Sequence, residues 1–404
     1  MPTLWATRHF APLFATQFLG AFNDNLFKTA MLFLIAFHVG GNPRHAATLV
    51  TAAAGVFILP FLLFSGIAGR LADAVDKARV ARGVKLAEVV ILGVGGVGLL
   101  TASVPLLFVV LFAMGTHSTV FGPVKYAILP QHLEPGELLA GTGMVEGATF
   151  VAILLGQVAG GLLPTRVVAA AMLALALLGV AAARLIPPAP PAAGAMPVDL
   201  NPWTSSLGIL RGAFGVPAVA RATVAISWFW ALGTIYTTQF VPLVAAWHAS
   251  ERTATLFLVV FTVGVATGAA GVARLLRGNV SARAAPWAVL AMAAASLALL
   301  LVIGCGLPHG LAPDAQGVAI VAALFVLAVA GGVFSVPLYA ILATASGAAT
   351  RAGSIAANNI VNAAFQVGGT LLAGAAVGSG VSIPVVLGVS GASGLLLLPL
   401  LRRL

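Results

Sequence analysis

Residues 121–129 read FGPVKYAIL and residues 334–342 read FSVPLYAIL, so one phrase occurs twice, with Lys125 opposite Leu338. At nearly the same offset Ala140-Gly141-Thr142 matches Ala352-Gly353-Ser354, and Glu146 falls opposite Asn358. A repeat spaced by half the chain means two copies of one structural plan. Working outward from these two phrases, about twelve apolar stretches are long enough to span a bilayer, six to each copy.

Composition agrees with that reading. Hydrophobic residues make up 60% of the 404 and charged residues only 7%, which lies outside the range of soluble domains. The expectation is an all-α integral membrane protein with twelve transmembrane helices in two pseudo-symmetric six-helix bundles. A closed barrel needs short alternating segments, and none occur. The formal charge of +10 is not a nucleic-acid footprint, because about fifteen of the twenty Lys and Arg fall on one set of loops. Arg70, Lys77, Arg79, Arg82 and Lys85 are the densest run, and the opposite loops keep Arg44, Arg166 and Arg252. The positive-inside rule therefore places both termini in the cytoplasm. The start, Met1 to Ala11, has no cleavable signal pattern.

The run Pro187-Pro188-Ala189-Pro190-Pro191 is too rich in proline for a helix interior. It marks a linker, giving an N-terminal bundle over 1–187, a cytoplasmic linker over 188–219 and a C-terminal bundle over 220–404. Within the linker, Trp203, Leu207, Leu210 and Phe214 fall on one helical face, which fits a helix lying on the membrane surface. A loose linker helix fits equally.

Four ionisable residues lie where the chain should cross lipid: Asp24, Lys28, Lys125 and Glu146. Each unpaired charge costs about 2.5–3.5 kcal/mol near the bilayer centre, roughly 10 kcal/mol for all four. They must converge on a wet interior where they pair or bind a polar solute. Asp24 and Lys28, four apart on one helix face, can pair in the favoured order, and Asn23 and Asn25 add donors and acceptors in the same turn. A purely structural salt bridge is the alternative. Lys125 and Glu146 are placed to meet between adjacent helices, whereas Glu88, one turn after Lys85, is expected to pair with it near the membrane edge. In the second copy Asn359, Asn362 and Gln366 recur at helical spacing, lining a cavity or bonding helix to helix.

Several enzyme-like patterns are coincidental. Gly93 to Gly98 satisfies G-x-G-x-x-G but lies inside an apolar span with no strand before it. His309 and Asp314 have the H-x4-D spacing of glycerolipid acyltransferases without a catalytic domain around them. Cys305 stands alone, the seven His are scattered, and no metal site, cofactor or catalytic set is expected.

The loop after the second span, Gly69-Arg70-Leu71-Ala72-Asp73-Ala74-Val75-Asp76-Lys77-Ala78-Arg79, resembles the cytoplasmic loop of the major facilitator superfamily, whose plan is also two parallel six-span repeats. The resemblance implies a gate formed by Gly69, Asp73 and Arg79, in which Asp73 and Arg79 hold the cytoplasmic face closed. Ala74 and Asp76 depart from the family's Arg and Gly. Within that superfamily, Gly20-Ala21-Phe22-Asn23-Asp24-Asn25-Leu26-Phe27-Lys28, Gly122 to Pro130, Gly141 to Glu146 and Gly331 to Leu338 resemble the bacterial lysophospholipid transporter family over nearly the whole chain. That resemblance implies a flippase in the bacterial inner membrane that moves lysophospholipids from the outer to the inner leaflet. There an acyltransferase/acyl-carrier-protein synthetase reacylates them. Many relatives carry that enzyme fused at the C-terminus; this chain stops at Arg402-Arg403-Leu404, which implies a separate partner.

The residues suit such a substrate. Lys125 with Lys28 is expected to engage the phosphate, and Asp24 and Glu146 to engage the amine or hold the lysines. The alternative is a proton-coupled exporter of drugs or small amphiphilic solutes, with Asp24 or Glu146 as the protonation site. A non-transporting membrane enzyme or scaffold fits least.

Overall fold

A computed structural model describes residue 4 and residues 7–35, 43–194, 198–247, 251–304 and 315–404. Cys305, His309, Asp314, His38 and His248 lie outside the described residues. The helices in chain order are α1 (Ala11–Leu34), α2 (Pro43–Ala74), α3 (Lys77–Leu100), α4 (Val104–His132), α5 (Pro135–Leu162), α6 (Thr165–Arg184), α7 (Pro202–Phe214), α8 (Pro217–Ala246), α9 (Glu251–Leu275), α10 (Ala285–Gly304), α11 (Ala315–Ala345), α12 (Arg351–Gly378), α13 (Ile383–Ala392) and α14 (Leu398–Leu401). Among the described residues, eleven helical segments are long and apolar enough to cross a membrane. Helix α1 is the more polar twelfth, because Gln17, Asn23, Asp24, Asn25 and Lys28 interrupt it. The last span is assembled from α13, a 3-10 turn over Ser393–Leu397 and α14.

These helices form where apolar runs end at turn chemistry. Pro stands in the first turn of α1, α4, α7 and α13, where its missing N–H costs nothing. Asp76 caps α3 by accepting from the Arg79 N–H at 3.0 Å, and Asn201 caps α7 by accepting from Trp203 N–H at 3.0 Å. Internal prolines at Pro60, Pro123, Pro130, Pro242 and Pro337 leave each helix continuous in its assignment, as membrane helices tolerate.

The chain divides into two compact units. Unit 1 comprises Met1–Glu134, Val151–Val216 and Ala343–Ile360; unit 2 comprises Pro135–Phe150, Pro217–Leu342 and Val361–Leu404. The first 16 residues of α5 thus belong with the second repeat and the start of α12 with the first. Unit 1 is centred on Leu26, Phe27, Met31, Leu92, Leu107, Met114 and Met172, from α1, α3, α4 and α6. Glycines allow the tightest approaches: a Cβ at Gly156 would sit 2.5 Å from the Phe22 carbonyl oxygen, and one at Gly160 2.6 Å from that of Leu26. Unit 2 holds a cluster of Leu139, Ala269, Val272, Val336 and Ala340.

Linker helix α7 lies within unit 1 against α2. Ser205, Ile209 and Ala213 are buried, while Trp203, Leu207 and Phe214 are exposed. A Cβ at Gly66 would meet the Ser206 nitrogen, so this seat on α2 depends on glycine. Asp199 accepts from Thr204 Oγ1 at 2.5 Å and from the Asn201 N–H at 3.0 Å. Those bonds hold its carboxyl below the usual carboxylate range.

Candidate functional site

In unit 1, α1 presents three different faces. Asp24 and Lys28 are half-buried on one, while Asn23 and Asn25 are buried on the others, because adjacent helical residues do not share a face. The four do not act as one cluster. The Asp24 carboxylate accepts from Ser118 Oγ at 2.5 Å, and Lys28 Nζ lies 4.9 Å from the Phe57 ring centroid. The two side chains thus turn to α4 and α2 respectively. Asn25 Nδ2 donates to the Ala21 carbonyl of its own helix at 2.8 Å, next to the α5 crossing at Gly156. Lys125 is half-buried on α4, its Nζ 4.8 Å from the Tyr126 ring centroid.

Asn23 leads to a feature that sequence reasoning placed elsewhere. Its Nδ2 donates to Glu88 Oε1 and to the Met172 carbonyl, each at 3.2 Å. Glu88 Oε2 takes Lys85 Nζ at 2.5 Å, and His117 Nε2 lies 3.3 Å from the same oxygen. Lys85 and Glu88 do pair, but both are 0% exposed; the pair is a buried hub, not an edge contact. The space for it comes from small residues: a Cβ at Gly20 would fall 2.5 Å from Lys85 Nζ, and one at Gly179 3.5 Å from its stem. The hub and the half-buried face of Asp24 are joined by neighbours in sequence. Asn23 and His117 point to Glu88, while Asp24 and Ser118, the next residue of each helix, bond one another. The i,i+3 spacing of Lys85 and Glu88 signals the pair; nothing local signals Asn23 or His117 as its other partners.

At the end of α2, Asp73 is 5% exposed and accepts the backbone N–H groups of Ala352 at 2.9 Å and Gly353 at 2.8 Å. A carboxylate here meets the unsatisfied donors and the positive end of the α12 dipole. Gly69 makes the approach possible, since a Cβ there would lie 2.6 Å from the Ala356 Cβ. Lys77, fully buried, and Arg351 act on Asp73 electrostatically, whereas the Arg79 side chain is exposed. Arg351 Nε also donates to the Ala343 carbonyl at 2.7 Å, tying α12 to the end of α11. Asn359, likewise in unit 1, sets its amide against Gly122, 2.9 Å from where a Cβ would stand.

In unit 2, Glu146 is 1% exposed, on the part of α5 whose Gly147 packs on Ala266 and Ala269 of α9. One turn on, Phe150 stacks on Trp230 with centroids 5.5 Å apart, and Trp230 Nε1 donates to Tyr339 Oη at 2.6 Å. Asn362 Oδ1 accepts from Ser227 Oγ at 2.6 Å, and Gln366 Oε1 from Thr234 Oγ1 at 3.1 Å. These two amides tie α12 to α8, and Gln366 ends near the half-buried Trp230 face. The aromatic set Phe150, Trp230 and Tyr339 was legible only as scattered aromatics. Among the described residues, no group of three or more His, Cys, Asp or Glu is placed to hold a metal ion.

Comparison with known proteins agrees with this architecture. The profile of the Major Facilitator Superfamily matches residues 13–373. The chain is 30% identical over 357 residues to the lysophospholipid transporter LplT of Salmonella paratyphi B, covering 85% of this chain and 82% of that one. It is 30% identical over 373 residues to LplT of Shigella sonnei, covering 89% and 86%. Among solved structures, the human organic anion transporter MFSD10 superposes with a TM-score of 0.80 at 16% identity over 99% of this chain and 100% of that one. The transporter FucP, in its outward conformation, gives 0.73 at 14% identity over 97% of each; both likenesses are of fold. Repeat, helices and relatives together make this a multi-pass membrane protein, and the chain belongs to the lysophospholipid transporter family of the Major Facilitator Superfamily.

Proposed function

We propose that this protein is a flippase that carries lysophospholipids from the outer to the inner leaflet of the bacterial inner membrane by alternating access, delivering them for reacylation. The observation that carries the reading is that Asp24, Lys28 and Lys125 are half-buried on the membrane helices α1 and α4, in a chain 30% identical to named lysophospholipid transporters. A one-tailed phospholipid needs cations for its phosphate, an acid for an amine and apolar surface for its chain. Within unit 1, Lys125 takes the phosphate and Asp24, oriented by Ser118, takes the amine, with Lys28 a second cation on the path; Glu146, in unit 2, is by itself a further candidate acid. In unit 2, taken by itself, stacked Phe150 and Trp230 offer apolar surface suited to an acyl chain. Asp73 on the α12 N-terminus is the cytoplasmic latch, with Gly69 setting the approach and Lys77, not Arg79, as the neighbouring cation. Both termini lie in the cytoplasm by the charge bias, and an acyltransferase/acyl-carrier-protein synthetase is the partner that takes up the delivered lipid.

The test is flipping of labelled lysophosphatidylethanolamine in proteoliposomes. Removing one charge-assisted contact costs about 1.5–3 kcal/mol, so Asp24→Ala, Lys125→Ala and Glu146→Ala should each weaken apparent affinity roughly ten- to hundred-fold. Undiminished flipping in all three folded variants ends the assignment. Transport abolished by collapsing the proton gradient, with drugs competing and lysophospholipids not, would favour the exporter reading instead.

A further inference from the structure

Unit 2 contains a cavity of about 910 Å³ that the transport site does not use, lined from the end of α9, the turn that follows it, α10 and α11. Its two ends differ in chemistry. At one end stand Arg277, Asn279, Ser281 and Arg283; both arginines and Asn279 are exposed. The remainder is walled by Trp287, Phe325, Val329 and Val333 with alanines between them. No acidic residue lines it among the described residues.

The lining runs from Ala284 to Ala291 along α10 and from Phe325 to Val333 along α11, about 10 and 12 Å at 1.5 Å per residue. One leaflet contributes about 15 Å of hydrocarbon, so the groove matches the upper part of one acyl chain. Trp287, 74% exposed, sits four residues from Arg283 and ten from Arg277, as an aromatic at the level of lipid head groups does. This turn joins the eighth and ninth spans and so lies on the Arg/Lys-rich side.

The basic end is also held in an unusual backbone. Arg277 has φ +53° and Gly278 φ +77°, and the turn is closed by the Gly278 N–H donating to the Ala273 carbonyl at 2.8 Å. Glycine is the usual residue at such a position. The bond is that of a helix C-terminal cap, and it fixes the Arg277 backbone at the basic end of the groove.

We propose that this groove binds an anionic phospholipid of the cytoplasmic leaflet, with its phosphate between Arg277 and Arg283 and one acyl chain along Trp287, Phe325, Val329 and Val333. Two cations without an acid select a net-negative head group over a zwitterionic one, whose ammonium would find no partner. The bound lipid is a resident ligand, separate from the transported one.

The experiment is native mass spectrometry of the full chain released from vesicles of phosphatidylcholine and phosphatidylglycerol in a 3:1 ratio. Wild type should retain phosphatidylglycerol preferentially. Arg277→Gly removes the guanidinium while relieving the backbone, so it should lower that retention about ten-fold without lowering the melting temperature; Arg283→Gln should act alike. Ala291→Phe, which fills the apolar part, should displace the lipid with both arginines intact, and inorganic phosphate should not compete. Unchanged retention in the Arg277→Gly/Arg283→Gln double variant, equal retention of phosphatidylcholine, or displacement by inorganic phosphate would each overturn the proposal. Because the readout is lipid retention, it stands or falls apart from flipping.

Discussion

Replacing Asp73 with Asn should release the first turn of α12. The carboxylate accepts two N–H bonds, 2.9 and 2.8 Å long, and bonds to an ionised group are worth about 1.5–3 kcal/mol each. The helix dipole adds about 0.3–1 kcal/mol. Against this stands the cost of keeping a carboxylate at 5% exposure, a penalty of several kcal/mol that the neutral amide largely escapes. Asn keeps one acceptor and loses the charge, so the net weakening should be about 2 kcal/mol, or roughly thirty-fold in the opening equilibrium. Hydrogen exchange read by mass spectrometry on a peptide spanning residues 347–360 measures that opening directly. The Ala352 and Gly353 amides should lose protection by about that factor while a peptide from α3 does not change. Gly69→Leu should produce the same loss by a different route, since a Cβ 2.6 Å from that of Ala356 forces the helices apart. Unchanged protection of residues 347–360 in both variants would refute the idea that this carboxylate latches the helix end.

Four further outcomes follow from the packing. Glu88→Ala leaves Lys85 buried without its counter-charge and should destabilise the protein by about 3–5 kcal/mol; in thermal unfolding in detergent, Lys85→Met/Glu88→Leu should recover most of that loss, and strict additivity of the two singles would contradict the buried hub. Gly156→Val should cost about 1–3 kcal/mol or more, because its side chain would enter the backbone of Phe22; a Tm equal to wild type would show that α1 and α5 do not cross there. Asn201→Ala should cost about 1 kcal/mol of α7 stability, seen as faster exchange over 202–207. Asp199, whose pKa is depressed in the fold, supports the same turn above the ordinary carboxylate range and loses that support as pH falls through its lowered value. The protection factor of this turn, corrected for the intrinsic pH dependence of exchange, should therefore fall on acidification in wild type and stay constant in Asp199→Asn.

The contrast between α1 and its partners explains what could be read in advance. Hydropathy and the repeat are written in the order of residues, so the spanning helices and the two copies were legible in one dimension, and the Asp73 loop was legible through its resemblance to that of the superfamily. The grouping of Asn23, Asp24, Asn25 and Lys28 was legible as a polar turn but not as three directions. Which way each points depends on helices met 65 and 149 residues later. Lys85 and Glu88 signalled a pair by spacing, yet the same spacing serves a membrane edge and a buried core.

By itself, then, the chain's order of residues determined that it crosses a membrane, that it does so twice over on one plan, and that charges must be sheltered inside. Only the folded arrangement decided that Glu88 is the centre of a buried hub, that Asp73 closes on Ala352 and Gly353, and that Arg277 and Arg283 flank an apolar groove. The reason is physical: partition into lipid sums over neighbouring residues, whereas the energy of a buried charge is set by groups that adjoin it only after the helices have packed.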